Sequence, residues 1–205
     1  MKLDELKNYW VAYDLKLNKN LQFNEAILRK INLEKSEKEM QKPLVFELAG
    51  IIIFTFLVAF AITFSIRFSY ELHFNLTGLA SALVSSVFLI FAFIKANKLV
   101  RIDYYNSSII KLQKELTRLR ILLIRLRRIE LIMVPVLTNT ILPITYKILY
   151  DINLYHNLKL FIIEVILILG ISYPLGIWIN KHFYDEKMKD AERLLKEIET
   201  YERQQ

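Results

Sequence analysis

The chain has 205 residues, 28 Lys and Arg against 21 Asp and Glu, a formal charge of +7, no Cys, and 54% apolar residues including 13 Phe and 11 Tyr. Without Cys there is no disulfide, thiolate nucleophile or Cys-ligated metal. The apolar residues gather in long blocks without the polar periodicity of a water-facing surface, which excludes an ordinary soluble domain and predicts an all-α, polytopic membrane bundle.

From the N-terminus, residues 1–43 read as a helical segment outside the membrane. Leu3, Leu6, Trp10, Tyr13 and Leu17 alternate by three and four and so share one helix face. The Asn-rich stretch 18–24 predicts a break, with Asn24 capping a second helix that carries Ala26, Ile27, Ile31 and Met40 and completes a helical hairpin. Pro43 then belongs to the approach to the first membrane helix. Residues 44–96 read as a transmembrane hairpin. Its first span, 45–66, holds a single carboxylate, Glu47, and its second, 74–96, has only Lys95 near its end; each matches the ~20 residues a helix needs to cross hydrocarbon. Gly78, Ala82 and Ser86 recur every four positions in the second span, with Ser81 and Ser85, and predict a small-residue face for close helix contact.

Residues 97–128 predict an amphipathic helix with the stripe Ile109, Leu112, Leu116, Leu119, Leu123 and Leu126, almost three heptads with Leu or Ile at both seam positions. Basic residues from Arg118 to Arg128 sit beside a membrane entrance, which points to anionic headgroups and not to nucleic acid. This helix is expected to run on into a third span, 129–150, where Pro135 and Pro143 predict a kink whose freed carbonyls neighbouring side chains must satisfy. A three-span form, with this segment at the interface, is the competing arrangement. The fourth span, 158–180, completes a second transmembrane hairpin over 129–180 and contains Glu164, Gly170, Pro174 and Gly176. Residues 181–205 form a last helix with the stripe Tyr184, Met188, Ala191, Leu195 and Ile198. The stripes of the three segments outside the membrane are expected to pack together or to pair across a dimer.

Charge orients the set. Of the 28 Lys and Arg, 25 lie in the N-terminal segment, the connection between spans two and three (with its Lys95 border) and the tail. The positive-inside rule therefore places both termini in the cytoplasm of a multi-pass inner-membrane protein, and an even number of spans agrees.

Among candidate functional residues, Glu164 lies inside the fourth span, where an ionised carboxylate is costly. With Asn139, Thr140 and Ser172 it reads as an intramembrane polar site for a substrate or ion, or as interhelical hydrogen bonding that knits the bundle; a carboxylate that snorkels to the interface is the third reading. Arg127 and Glu130, three residues apart, are expected to pair on one helix face. His73, His156 and His182 lack metal-ligand spacing, and no catalytic, nucleotide-binding or cofactor motif occurs, so no catalytic, cofactor or metal residue is nominated and no cofactor is expected.

The opening Leu3-Asp4-Glu5-Leu6-Lys7 with Trp10, together with chain length and span arrangement, resembles a group of small Bacteroidetes membrane proteins often encoded beside extracytoplasmic-function sigma factors. The resemblance implies a membrane-associated regulatory or accessory role related to anti-sigma control, and brings no catalytic residues with it. The expected function is interaction, scaffolding or signalling through a cytoplasmic helical bundle, with self-association or a cytoplasmic protein as partner. The alternative is a small transporter or channel component centred on Glu164.

Overall fold

The computed structural model describes the backbone of residues 3–203 and the side chains of 26–200, with those of Trp10, Tyr13, Leu15, Lys16, Leu17 and Phe23. Side chains of Leu3, Leu6 and Asn24 lie outside the described residues. Five α-helices follow one another: α1 (Leu3–Arg67), α2 (Leu72–Val100), α3 (Ile109–Tyr150), α4 (Leu158–Asn180) and α5 (Glu186–Arg203). A 3₁₀ turn, Leu154–His156, precedes α4, and a five-residue π turn, Lys181–Asp185, joins α4 to α5 without a loop. No strand occurs among the described residues.

The first helix departs from expectation. It is one unbroken helix of 65 residues, not a hairpin followed by a span. The reason is local. Residues 3–42 contain neither Gly nor Pro, and the asparagines at 18, 20 and 24 each lower helix propensity by only about 0.7 kcal/mol or less. Pro43 sits inside the helix and is fully buried, so packing around it outweighs the lost hydrogen bond.

Three helices are long and apolar enough to cross a bilayer: the C-terminal part of α1, α2, and α4, with mean hydropathies of 2.6, 2.2 and 2.3 over their most apolar stretches. Only 11%, 33% and 0% of those stretches is buried inside the chain. Such outward-facing apolar surface is stable in lipid and not in water. The equivalent stretch of α3 carries Asn139, Thr140 and two prolines, and it lies between α2 and α4.

Close approach of α1 and α2 depends on small residues. A Cβ added to Gly78 would lie 2.8 Å from Ser65 Cβ and 3.0 Å from Ser65 Cα. Ala61, Ser81, Ala82 and Ser85 are buried on the same contact. Gly78→Ala is therefore expected to cost about 1–3 kcal/mol through forced separation of the backbones. Thermal unfolding in detergent measures this, and Gly50→Ala, which meets nothing within 4 Å, is the unaffected comparison.

A second layer is closed by the expected stripes of α3 and the C-terminal segment but by a different face of α1: of the expected Ala26, Ile27, Ile31 and Met40, only Met40 joins the core, and the other three are exposed. Leu33 and Met40 of α1, Ile109, Leu112, Leu116, Leu119 and Leu123 of α3, and Tyr184, Met188, Ala191, Leu195 and Ile198 close one core. Leu126, the last residue of the α3 stripe, is also buried. Polar pairs ring this core: Gln113 Nε2 donates to Glu199 (2.9 Å), Arg120 to Glu192 (3.1 Å), and Lys187 approaches Glu39 (3.2 Å). The α2–α3 connection is held by Asp103, whose carboxylate accepts the Asn106 and Tyr105 backbone N–H groups, an arrangement that lowers its pKa. Ser108 then caps α3.

Candidate functional site

Where the two layers meet, four elements each contribute one polar side chain to the same point. Glu47 stands one turn after Pro43 on α1. Lys95 comes from the last turns of α2, Glu130 from the middle of α3, and Tyr184 from the π turn. Lys95 Nζ lies 2.8 Å from Glu47 Oε1 and 2.7 Å from Glu130 Oε1, and the Tyr184 hydroxyl donates to Glu47 Oε1. Glu47 is 3% exposed and Lys95 9%. The extra residue of a π turn changes the phase of the helix that follows. Here it lets α5 continue from α4 while Tyr184 faces α1 and Asp185 faces α3.

The expected Arg127–Glu130 pair is not made. Arg127 instead bonds Asp185 at 2.6 and 3.2 Å, and Glu130 turns to Lys95. Both side chains thereby gain a less exposed, interhelical partner than an i,i+3 contact offers.

Beside this knot the apolar layer is open. No Cα of α4 comes within 8 Å of α1 or α2, and the space between encloses about 320 Å³. Phe46, Phe54, Phe88, Leu131 and Val134 form its apolar walls, and Glu47, Lys95 and Glu130 close one end. Tyr173, also on the cleft, donates its hydroxyl to Leu131 O at 2.7 Å. Leu131 O is the carbonyl that Pro135 frees, so the proline kink of α3 is satisfied by α4.

The predicted intramembrane polar site is distributed otherwise. Glu164 accepts the Tyr146 hydroxyl at 2.8 Å. Asn139 Nδ2 donates to Pro135 O (2.8 Å) and Thr140 Oγ1 to Leu137 O (3.0 Å), both within α3. Ser172 faces the cleft, its Oγ out of solvent and without a hydrogen-bond partner. No hydrogen bond joins these four residues to one another. At the opposite end of the apolar layer, Lys147 lies over the Phe68 and Phe74 rings and 3.8 Å from Glu71, and Thr77 bonds Tyr155 at 2.7 Å. His73 and His156 line a hollow there, and among the described residues no group of three or more potential ligands could hold a metal.

A second surface stands clear of the fold. Trp10, Tyr13, Leu17, Leu28 and Ile31 follow one face of α1 and are all exposed. Leu33, Ser36, Met40, Pro43 and Glu47, on a face roughly a third of a turn around the helix, are the buried set. The α3 stripe is wholly covered within the chain, so the exposed apolar stripe outside the membrane-length stretches is that of α1.

The chain matches no protein family, no curated protein and no solved structure.

Sequence reasoning placed Glu47 and Lys95 at span boundaries and missed their union with Glu130. A signal was present: in antiparallel neighbours, a charge three residues into span one, one near the end of span two and one at the start of span three come to the same depth.

Proposed function

We propose that the chain is a four-span inner-membrane protein with both termini cytoplasmic, acting as an interaction or signalling-accessory protein through the N-terminal arm of α1. The observation that carries this reading is the exposed apolar stripe of Trp10, Tyr13, Leu17, Leu28 and Ile31 on a helix continuous with a membrane-length segment. Large aromatic side chains on a rigid helix, with no covering from their own chain, have the character of interface anchors. The partner is a second copy or a cytoplasmic protein that offers an apolar groove or helix to this face. Leu3–Lys7 and Trp10, which carry the resemblance to the Bacteroidetes group, belong to the same arm, so a regulatory role of the anti-sigma kind is consistent with this location.

Four spans are supported by ties at both ends of the apolar layer. Glu130 is held to Lys95 at one end; at the other, Lys147, paired with Asp151 at 2.9 Å, lies over the Phe68 and Phe74 rings and 3.8 Å from Glu71. Residues 130–147 of α3 then rise about 26 Å, close to the ~30 Å of bilayer hydrocarbon. With α3 crossing, the basic segments all fall on one side, as the positive-inside rule requires of the cytoplasm. The transport reading centred on Glu164 has less support, because Glu164, Asn139 and Thr140 form separate, local hydrogen bonds.

A photo-crosslinking side chain at Tyr13, used in cells, is expected to capture one specific protein, while the same probe at Lys111, exposed on α3, captures none. Trp10→Ala should weaken capture roughly thirtyfold, as loss of an interface anchor worth about 2 kcal/mol. It should change the stability of the chain by no more than about 0.5 kcal/mol, since Trp10 is exposed. Equal capture from Tyr13 and Lys111, or none from Tyr13, would contradict the reading.

A further inference from the structure

The face of α3 that looks away from the bundle changes character at the level of the Lys95 knot. Positions 112, 116, 119, 123 and 126 face the core. Positions 114, 118, 121, 125, 128, 132 and 136 recur by the same threes and fours about half a turn round the helix, and all of them are exposed. Before Glu130 this outward face carries Lys114, Arg118, Arg125 and Arg128. After it come Ile132 and Val136, 73% and 48% exposed. The other two arginines of the stretch, Arg120 and Arg127, turn to Glu192 and Asp185. The four outward cations make no side-chain hydrogen bond or ion pair among the described residues. Between 114 and 136 the only acids are Glu115 and Glu130, and neither falls on this face.

With α3 crossing the bilayer, depth sorts these cations. Arg128 and Arg125 stand about 3 and 7.5 Å along the axis from Glu130, within the roughly 5–8 Å of headgroups that cover each side of the hydrocarbon. Arg118 and Lys114 stand about 18 and 24 Å out, beyond both that layer and the Debye length of about 8 Å. The headgroup contact expected from Arg118 to Arg128 therefore narrows to Arg125 and Arg128. A ligand that covers the face must bring negative charge to these two arginines and hydrocarbon to Ile132 and Val136 directly below them. An acidic peptide or a free phosphate would meet only the arginines. A zwitterionic headgroup would bring its own cation to a face that is already positive.

We infer that Arg125, Arg128 and the apolar face below them hold one anionic phospholipid, its phosphate on the two guanidinium groups and an acyl chain along Ile132 and Val136. This site rests on the reading that α3 crosses the bilayer.

The test places a lone tryptophan on the acyl-chain face. The full chain with Trp10→Phe, Trp178→Phe and Val136→Trp is reconstituted in phosphatidylcholine vesicles, and its fluorescence is quenched with phosphatidylglycerol or phosphatidylcholine brominated in the acyl chains. Phosphatidylglycerol is expected to be favoured at this position at least about tenfold. The same tryptophan moved to the exposed face of α4, as Leu175→Trp with Val136 restored, should show less than about twofold preference. Arg125→Gln with Arg128→Gln should lower the preference at Val136→Trp to that level, and excess inorganic phosphate should leave it unchanged. Equal quenching by the two lipids at Val136→Trp, a preference that survives loss of both arginines, or one abolished by inorganic phosphate would overturn the lipid site while leaving the crossing intact. Quenching by neither lipid would overturn the crossing itself. If the double arginine variant does not reconstitute, the comparison of Val136→Trp with Leu175→Trp still decides.

Discussion

Lys95→Met is expected to lower the stability of the chain by about 3–5 kcal/mol, the range found when one partner of a buried ion pair is removed. The cause is what stays behind. Glu47 and Glu130 would face each other across the vacated site, each without its cation, in surroundings that exclude most water. Tyr184 would still donate to Glu47 but cannot neutralise it. Replacing the whole knot together, as Glu47→Leu, Lys95→Met, Glu130→Leu and Tyr184→Phe, should by contrast be close to neutral, because the desolvation cost disappears with the attraction and no buried hydroxyl is left without its acceptor. Unfolding midpoints in detergent distinguish the two. A single Lys95→Met as stable as the parent would show that the knot is not the bond between the layers.

Leu116→Asp should be at least as damaging, but to one layer only. Leu116 is fully buried at the middle of the α3 stripe, between α1 and α5. Loss of a buried Leu costs about 2–5 kcal/mol, and a carboxylate placed in that core has no described cation to meet it. The three-helix layer should open and release α5 to protease, with the Arg120–Glu192 and Gln113–Glu199 pairs lost. The apolar helices, stabilised by their own contacts, should stay inserted and resist alkaline extraction. Thr117→Asp, one residue away on the exposed face, should change stability by no more than about 0.5 kcal/mol. Protease resistance of α5 in the Leu116 variant would contradict the packing described.

Much of this architecture is legible in the sequence because periodicity and burial agree. The stripes of α3 and α5 alternate by three and four without interruption, and the same residues form the core. The small residues of α2 predict a close crossing, and Gly78 meets Ser65 at a separation that leaves no space for a methyl group. The long α1 is less legible. Asn18, Asn20 and Asn24 look like a break because asparagine favours caps and turns, yet a preference is not a stop, and no Gly or Pro enforces one there. Pro43 misleads in the other direction: a strong local stop signal is overridden by tertiary packing. The polar sites divide similarly. Glu164 draws attention as an isolated intramembrane acid, but Tyr146 meets its need for a donor. The Lys95 knot draws less, since each of its members alone reads as an ordinary boundary charge. It emerges only when three spans are aligned in depth, and Tyr184 joins through a π turn that no sequence pattern announces.

The central claim is that α3 crosses the membrane with α1, α2 and α4, leaving the three-helix layer and the arm together in the cytoplasm. Because the chain has no native Cys, single Cys substitutions report side directly. An impermeant maleimide should label Ser69→Cys and Ile152→Cys in intact cells, and Thr117→Cys and Thr200→Cys only after permeabilisation. Labelling of Ile152→Cys only after permeabilisation, together with Thr117→Cys, would mean that α3 does not cross, and would contradict the account.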